Sequence, residues 1–224
     1  RKEGKREMIK SVKLSFKVLV NVDPEDETPD LSEVWFNTTY TVYPDATVKV
    51  ENEFLPVYYH AEREMSVPRI GQLFKLKGAL ETVDWYGRGP WENYADRKTS
   101  ALVGRYRMLV KELAYAYVRP QENGYRTDVR ELTLSSPEGN GMKVTGLPFF
   151  CFNAQYAPKE NYEINGKPIR NTIDLKHEKD VFLNIDYGQM GVGGDNSWGN
   201  PVHVDYRVLL RNYRYGYVIQ LFKE

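Results

Sequence analysis

Apolar and polar residues alternate one for one along most of this chain, and short clusters of turn residues cut the alternation into pieces. Successive side chains of a strand point to opposite faces, so this period fits half-buried strands and excludes amphipathic helices. Ser11–Val20 sets Val12, Leu14 and Phe16 on one side, and Val34–Tyr43 is dense in Trp, Phe, Thr and Tyr. Thr47–Leu55 follows across a turn at Tyr43–Ala46 that holds Pro44 and Asp45. Further strands are predicted at Gln72–Lys77, Leu80–Tyr86, Tyr115–Arg119, Thr127–Ser135, Gly141–Thr145, Phe149–Ala154, Asp180–Asp186, Val202–Leu210 and Arg214–Phe222. Asn123-Gly124, Pro137–Gly141 and Asn165-Gly166 mark turns between them. Helical signals are scarce: Pro158–Tyr162 is short and interrupted, and no βαβ pattern occurs. The expected fold class is all-β, with packed antiparallel sheets forming a sandwich. Asn21–Asp30, acidic and carrying Pro24 and Pro29, reads as a long exposed loop. No internal repeat or long linker appears, so one domain over residues 1–224 is preferred to two.

Composition narrows the function. The chain has 224 residues, 41% of them hydrophobic and 28% charged, which suits a globular protein with one substantial core. No apolar run approaches a membrane span, and no signal-peptide pattern is visible. The 31 basic and 31 acidic residues cancel, so no field of one sign would recruit nucleic acid or an anionic membrane. Arg1–Lys10 is basic but mixed with acid, and reads as a solvated edge rather than a DNA-binding arm. Cys151, the single cysteine, rules out an internal disulfide; its neighbours Phe149, Phe150 and Phe152 suit a buried thiol. Cytoplasmic and periplasmic or secreted locations both remain open.

Three segments could carry chemistry. Val83–Arg97 reads VDWYGRGPWENYADR, in which Gly87 and Gly89 promise unusual backbone angles and Arg88, Glu92, Asn93, Asp96 and Arg97 crowd one loop. These residues would brace the loop, with Arg forks on carboxylates, or form a sugar site between Trp85 and Trp91. Tyr117–Arg130 reads YVRPQENGYRTDVR and sets Arg119, Glu122, Arg126, Asp128 and Arg130 around an Asn-Gly turn that would clasp the first segment. Asp186–Asn200 reads DYGQMGVGGDNSWGN, a glycine-rich loop presenting Trp198 behind Asp195, Asn196 and Ser197. Trp198 either stacks on a pyranose or packs on its own domain, and composition leaves both open.

Catalysis by this chain alone is not expected. Glycosidases use two carboxylates at a set separation. Glu92 with Asp96, or Glu122 with Asp128, could be nominated, but their Arg neighbours favour ionised carboxylates and oppose a general-acid role. His60, His177 and His203 match no metal-ligand spacing. Loop carboxylates and carbonyls leave a Ca²⁺ or Na⁺ site open, but no EF-hand pattern occurs, and no cofactor or metal site is expected here.

The motif at Trp85–Arg97, W-Y-G-R-G-P-x-E-N-Y-x-D-R, resembles the signature of the C-terminal, small-chain domain of large bacterial β-galactosidases of glycoside hydrolase family 2. The likeness continues in P-Q-E-N-G within Tyr117–Arg130, in Pro68-Arg69-Ile70-Gly71 and in N-I-D-Y-G-Q-M-G-V-G-G-D-N-S-W-G at Asn184–Gly199, and covers about three quarters of the chain. The resemblance implies a large sandwich of the galactose-mutarotase-like supersandwich type. It implies a parent retaining hydrolase of terminal β-galactosides such as lactose, whose catalytic glutamates lie on a (β/α)₈ barrel elsewhere. Mg²⁺ and Na⁺ would belong to that catalytic part, and the parent would be a homo-oligomer. The family tryptophan of the G-D-x-S-W loop maps onto Trp198, on the aglycone side of the pocket, with Asp195, Asn196 and Ser197 holding the loop. Trp85, Arg88, Glu92, Asn93, Asp96, Arg97, Arg119, Glu122, Arg126 and Arg130 would be architectural. The sequence departs from the family near Asn171–Leu175, where many members carry a histidine and His177 stands slightly off.

Overall fold

The computed structural model describes residues 10–21, 33–57, 65–196, 199 and 202–223. Within them run β1 (Val12–Asn21), β2 (Glu33–Val42), β3 (Val48–Pro56), β4 (Ser66–Val67), β5 (Arg69–Leu76), β6 (Thr82–Gly89) and β7 (Leu102–Leu109). A four-residue helix α1 (Val110–Leu113) follows, then β8 (Arg126–Ser135), β9 (Asn140–Gln155), β10 (Glu163–Ile164), β11 (Lys167–Pro168), β12 (Val181–Gln189), β13 (Val208–Leu209) and β14 (Tyr213–Lys223). The described chain is all-β, and its main sheet holds 10 antiparallel strands in the order β1-β2-β3-β14-β9-β8-β6-β7, with β12 and β5 branching from β9.

The branch makes two layers out of one sheet. β9 pairs with β14 from Asn140↔Lys223 to Leu147↔Gly216, then with β12 from Cys151↔Asp186 to Gln155↔Phe182. Between the two ladders the β8–β9 register also slips, from Glu131↔Thr145 to Val129↔Phe150. A slip of this kind bends the strand and redirects what pairs with it. β5, hydrogen-bonded only to β12, then lies across β2, β3 and β14. Gln72 on β5 joins Asn52 of β3 (3.0 Å), Tyr40 of β2 (3.0 Å) and Tyr217 of β14 (2.5 Å), and the rings of Phe74 and Tyr217 meet edge to face. The core between the layers includes Val50, Val83, Leu132, Val144, Phe152, Leu183 and Ile185, all essentially inaccessible.

Alternation translates into burial where a strand has one wet face. In β6 the inward residues are Val83, Trp85, Gly87 and Gly89, every second position. The one-sided set on β1 exists, yet Val12, Leu14, Phe16 and Val18 are each about half exposed.

Several expectations change. Tyr115–Arg119 is not a strand; the rings of Tyr115 and Tyr117 pack at 4.6 Å and the Tyr115 N–H donates to Asn123 Oδ1. Val202–Leu210 holds a 3₁₀ turn (Val204–Tyr206), and only Val208–Leu209 is strand. The two strands predicted at Gly141–Thr145 and Phe149–Ala154 are one, running through the bulge. β7 and α1 were not foreseen. Arg1–Lys10, save Lys10, and Asn21–Asp30, save the backbone of Asn21, lie outside the described residues.

Candidate functional site

The loop after β6 is held from three sides. Asn93 is fully buried: its backbone N–H donates to Tyr125 O (2.8 Å), and its Oδ1 accepts from the backbone N–H (2.9 Å) and hydroxyl (2.7 Å) of Thr127. Glu92 accepts from the Gly124 N–H (2.8 Å), from Arg97 Nη2 (2.6 Å) and from the Tyr117 hydroxyl. Gly124 sits at φ +77° with Leu113 O only 3.0 Å from where a Cβ would stand, so glycine is required at this turn. Arg88 Nε donates to Asp128 Oδ2 (2.5 Å), and Lys98 adds a second cation at 3.3 Å. Burial opposes ionisation of Asp128, but the bonds to Arg88 and Lys98 win and hold its carboxyl below the usual range. The predicted clasp between the first two segments is present.

Arg126 is committed to backbone carbonyls. It is 2% exposed, and its guanidinium donates to the carbonyls of Leu113 (2.8 Å), Gly124 (2.8 Å) and Pro90 (2.9 Å). The guanidinium also lies 5.6 Å from the Trp85 ring centroid. The expectation that buried charge would be paired with carboxylate is corrected here: carbonyl dipoles do the work. Burial brings its pKa down to about 10, against the negative charge of Glu92.

Other predicted members divide. Arg130 contacts the Asp128 carbonyl and lies over the rings of Phe149 (4.4 Å) and Tyr86 (5.6 Å). Glu122 meets Arg69 (3.1 Å) and the Tyr94 hydroxyl (3.4 Å). Arg119 does not belong to the network: it is exposed, and its carbonyl accepts from Gln121 Nε2. Gly87 and Gly89 have no positive φ; a Cβ on them would strike Val129 and Trp85, each at 2.8 Å, so packing sets their identity. Trp85 is 2% exposed with its indole N–H bonded to Arg88 O (3.0 Å), whereas Trp91 is 72% exposed. The two tryptophans therefore do not flank a sugar site.

Asp96 links this junction to the third segment. Its carboxylate accepts the backbone N–H of Val192 at Oδ1 (3.1 Å) and of Gly193 at Oδ2 (2.7 Å). A Cβ on Gly191 would stand 2.4 Å from that carboxyl, so only glycine lets it approach. On its other side the Gly191 N–H donates to Tyr206 O (2.8 Å). Downstream, the Asp195 carboxylate meets His203 Nε2 at 2.7 Å, both side chains exposed. Asn196 is exposed, and Ser197 and Trp198 lie outside the described residues.

A second cluster escaped the sequence reading. Asp186 is fully buried in β12, with Arg69 Nε at 3.4 Å from Oδ2 and the Tyr125 hydroxyl nearby. Neither carboxylate oxygen has a hydrogen bond of ordinary geometry. Burial pushes its pKa up to about 7, against the pull of the Arg69 charge. Burial, with Asp186 beside it, likewise pushes the Cys151 thiol up to about 12, which makes it a poor nucleophile. An Asp inside a run buried on both faces, with Pro68-Arg69-Ile70-Gly71 elsewhere, was the available signal. Among the described residues, no group of three or more His, Cys, Asp or Glu side chains could hold a metal ion. No helix among them is long and apolar enough to cross a membrane.

The family model described as "Beta galactosidase small chain" matches residues 2–219. This chain belongs to that family. The β-galactosidase of Priestia megaterium is 39% identical to this small-chain domain over 168 residues, 75% of the chain and 16% of the relative. The β-galactosidase of Alteromonas mediterranea is 31% identical over 218 residues, 89% of the chain and 20% of the relative. The small-chain domain thus spans a fifth or less of the length of these two relatives. Among solved structures, a "GalM/aldose Epimerase Homologue from C. elegans" aligns with 97% of this chain and 67% of its own, at 15% identity and a TM-score of 0.49. The two-layer arrangement rests on the contacts of β5, β12 and β14 described above, not on that likeness.

Proposed function

We propose that this small-chain domain is the non-catalytic C-terminal part of a retaining β-galactosidase of glycoside hydrolase family 2, acting on terminal β-galactosides such as lactose. Its Trp198 loop would form one wall of the pocket on the aglycone side, with Asp195, Asn196 and Ser197 shaping the loop. The observation that carries the reading is the double anchor of Asp96 on Val192 and Gly193. It ties the base of the tryptophan loop to the W-Y-G-R-G-P junction, and a substrate-stacking ring needs such a fixed base. The β-galactosidase relatives support the parent activity.

The junction's charges support a structural role for it. Glu92 and Asp128 accept from the Gly124 N–H and from Arg88, and Arg126 donates to backbone carbonyls, so these groups brace the junction and are not poised as an acid and nucleophile pair. Mg²⁺ and Na⁺ would belong to the parent's catalytic part. The partners would be the rest of the parent chain and, through it, a homo-oligomer.

The 224-residue chain alone is expected to release no phenol from an aryl β-galactoside at any enzyme concentration that leaves it soluble. Turnover that co-purifies with the chain, and is lost on replacing Glu92 or Glu122 by Gln, would overturn the non-catalytic reading.

A further inference from the structure

The fork in β9 leaves a gap that none of the described strands fills. The β14 ladder ends at Leu147 and the β12 ladder begins at Cys151, so neither covers Pro148–Phe150. A cavity of about 380 Å³ lies at this fork, bordered by Phe149 and Cys151 of β9, Tyr187–Gln189 of β12, Tyr215 of β14 and the Asp205–Val208 segment. That volume lies within the range of small-molecule sites, roughly 300–1,000 Å³.

Its chemistry is selective. Tyr187, Tyr206 and Tyr215 border it and are amphipathic; the rings of Tyr187 and Tyr215 meet edge to face (6.3 Å), and the Tyr215 hydroxyl is held by Ile185 O (3.5 Å). The nearby cations are engaged: Lys98 with Asp128 (3.3 Å), Arg214 with Glu53 (2.9 Å), and Arg207 with Val202 O (2.7 Å). An anion would have to compete for them. Gln189 Oε1 accepts from Arg69, which leaves its Nε2 donors without a partner among the described residues. Gly188 borders the cavity at the β12 bulge, and a Cβ there would meet nothing within 4 Å. The carboxylates of Asp128 and Asp205 also border the cavity and repel an anion; with the ring faces and the Gln189 amide they match a hydroxyl-rich neutral ring better than an anion or a hydrocarbon.

We infer that this cavity binds a neutral monosaccharide of hexose size, at a site distinct from the Trp198 loop. The inference stands independently of the pocket-wall reading. An occupant would also sit at the foot of that loop, because the Tyr206 carbonyl receives the Gly191 N–H.

The test is a titration of the ¹⁵N-labelled 224-residue chain with D-galactose, D-glucose and, as a charged control, inorganic phosphate. Saturable shifts are expected at the amides of Tyr187, Gly188, Gln189 and Tyr206 with at least one sugar, and none with phosphate. Gly188→Leu should weaken that binding at least tenfold with an unchanged melting transition, and Trp198→Ala should leave it intact. If Gly188→Leu does not fold, Tyr187→Ala serves, with the same expected loss. Absence of saturable shifts with both sugars would overturn the site. So would shifts confined to residues 191–199 and removed by Trp198→Ala, which would assign sugar binding to the loop. Sugar binding unchanged in the cavity variants, or phosphate binding more tightly than sugar, would also overturn it.

Discussion

Asp96 and Gly193 are joined by a 2.7 Å hydrogen bond from backbone N–H to carboxylate across almost a hundred residues of sequence. With the parallel bond to Val192, it makes one side chain of the first motif the anchor of the third. Charge-assisted bonds of this kind are roughly twice as strong as neutral ones.

Replacing Asp96 by Ala should therefore free the loop without unfolding the domain. Amide exchange at Val192 and Gly193 is expected to accelerate at least tenfold, about 1.4 kcal/mol. The global melting temperature should move little, because the surrounding junction keeps its own bonds. Unchanged protection at both amides would show that the loop is held by something else.

Arg126 and Arg119 provide a matched contrast. Arg126→Met would strand the carbonyls of Leu113, Gly124 and Pro90 in a buried site, and should cost about 3 kcal/mol or more in urea unfolding. Arg119→Met, in solvent, should stay within about 0.5 kcal/mol. Equal effects would refute the assignment of the load to the buried guanidinium.

The tryptophans of the first motif should separate as sharply. Trp85→Ala removes a buried ring packed on Tyr106 (5.3 Å between centroids) and Phe152 (5.9 Å), for an expected loss of about 3–5 kcal/mol. Trp91→Ala, at an exposed position, should be near neutral. Thermal unfolding of the two variants side by side decides the matter.

What the sequence made legible follows from this difference. Alternation exposes strands with one wet face, such as β3 and β6, because burial then has period two. It missed β7, an edge strand whose half-buried face is only Gly104, Tyr106 and Met108 between exposed Arg105 and Arg107, too short an apolar run to stand out. It misread Val202–Leu210, where apolar residues alternate but Tyr206 and Arg207 donate to His203 and Val204 in a local turn. The motif residues Glu92, Asn93 and Arg88 were legible as a braced loop, since crowded charges must find partners. The Asp96 anchor was not, because its acceptors' donors are backbone groups that carry no side-chain signature. Asp186 was passed over because its burial is a product of the fork, which pattern alone does not show.

The pH dependence of stability should carry the mark of Asp186. Its folded value of about 7 lies above the ordinary 3.8, so folding favours the protonated form. Its contribution is fully present below about pH 4 and is lost as pH rises through 7, on the order of 4 kcal/mol in all. Asp128 and Glu131, both held low, act with the opposite sign: their stabilisation is present above the ordinary carboxylate range and lost on acidification. Denaturant unfolding between pH 4.5 and 8 should show a falling slope that Asp186→Asn flattens. A slope that survives the substitution would place the titrating group elsewhere.

The most direct test of the central claim is Trp198→Ala in the parent-length β-galactosidase, comparing kcat and KM on lactose and on an aryl galactoside. A stacked ring on the aglycone side predicts a loss of kcat/KM of roughly tenfold or somewhat more, about 1–2 kcal/mol, with the fold intact. Unchanged kcat/KM on both substrates would contradict the pocket-wall role and leave this domain as scaffold or as a separate sugar-binding unit.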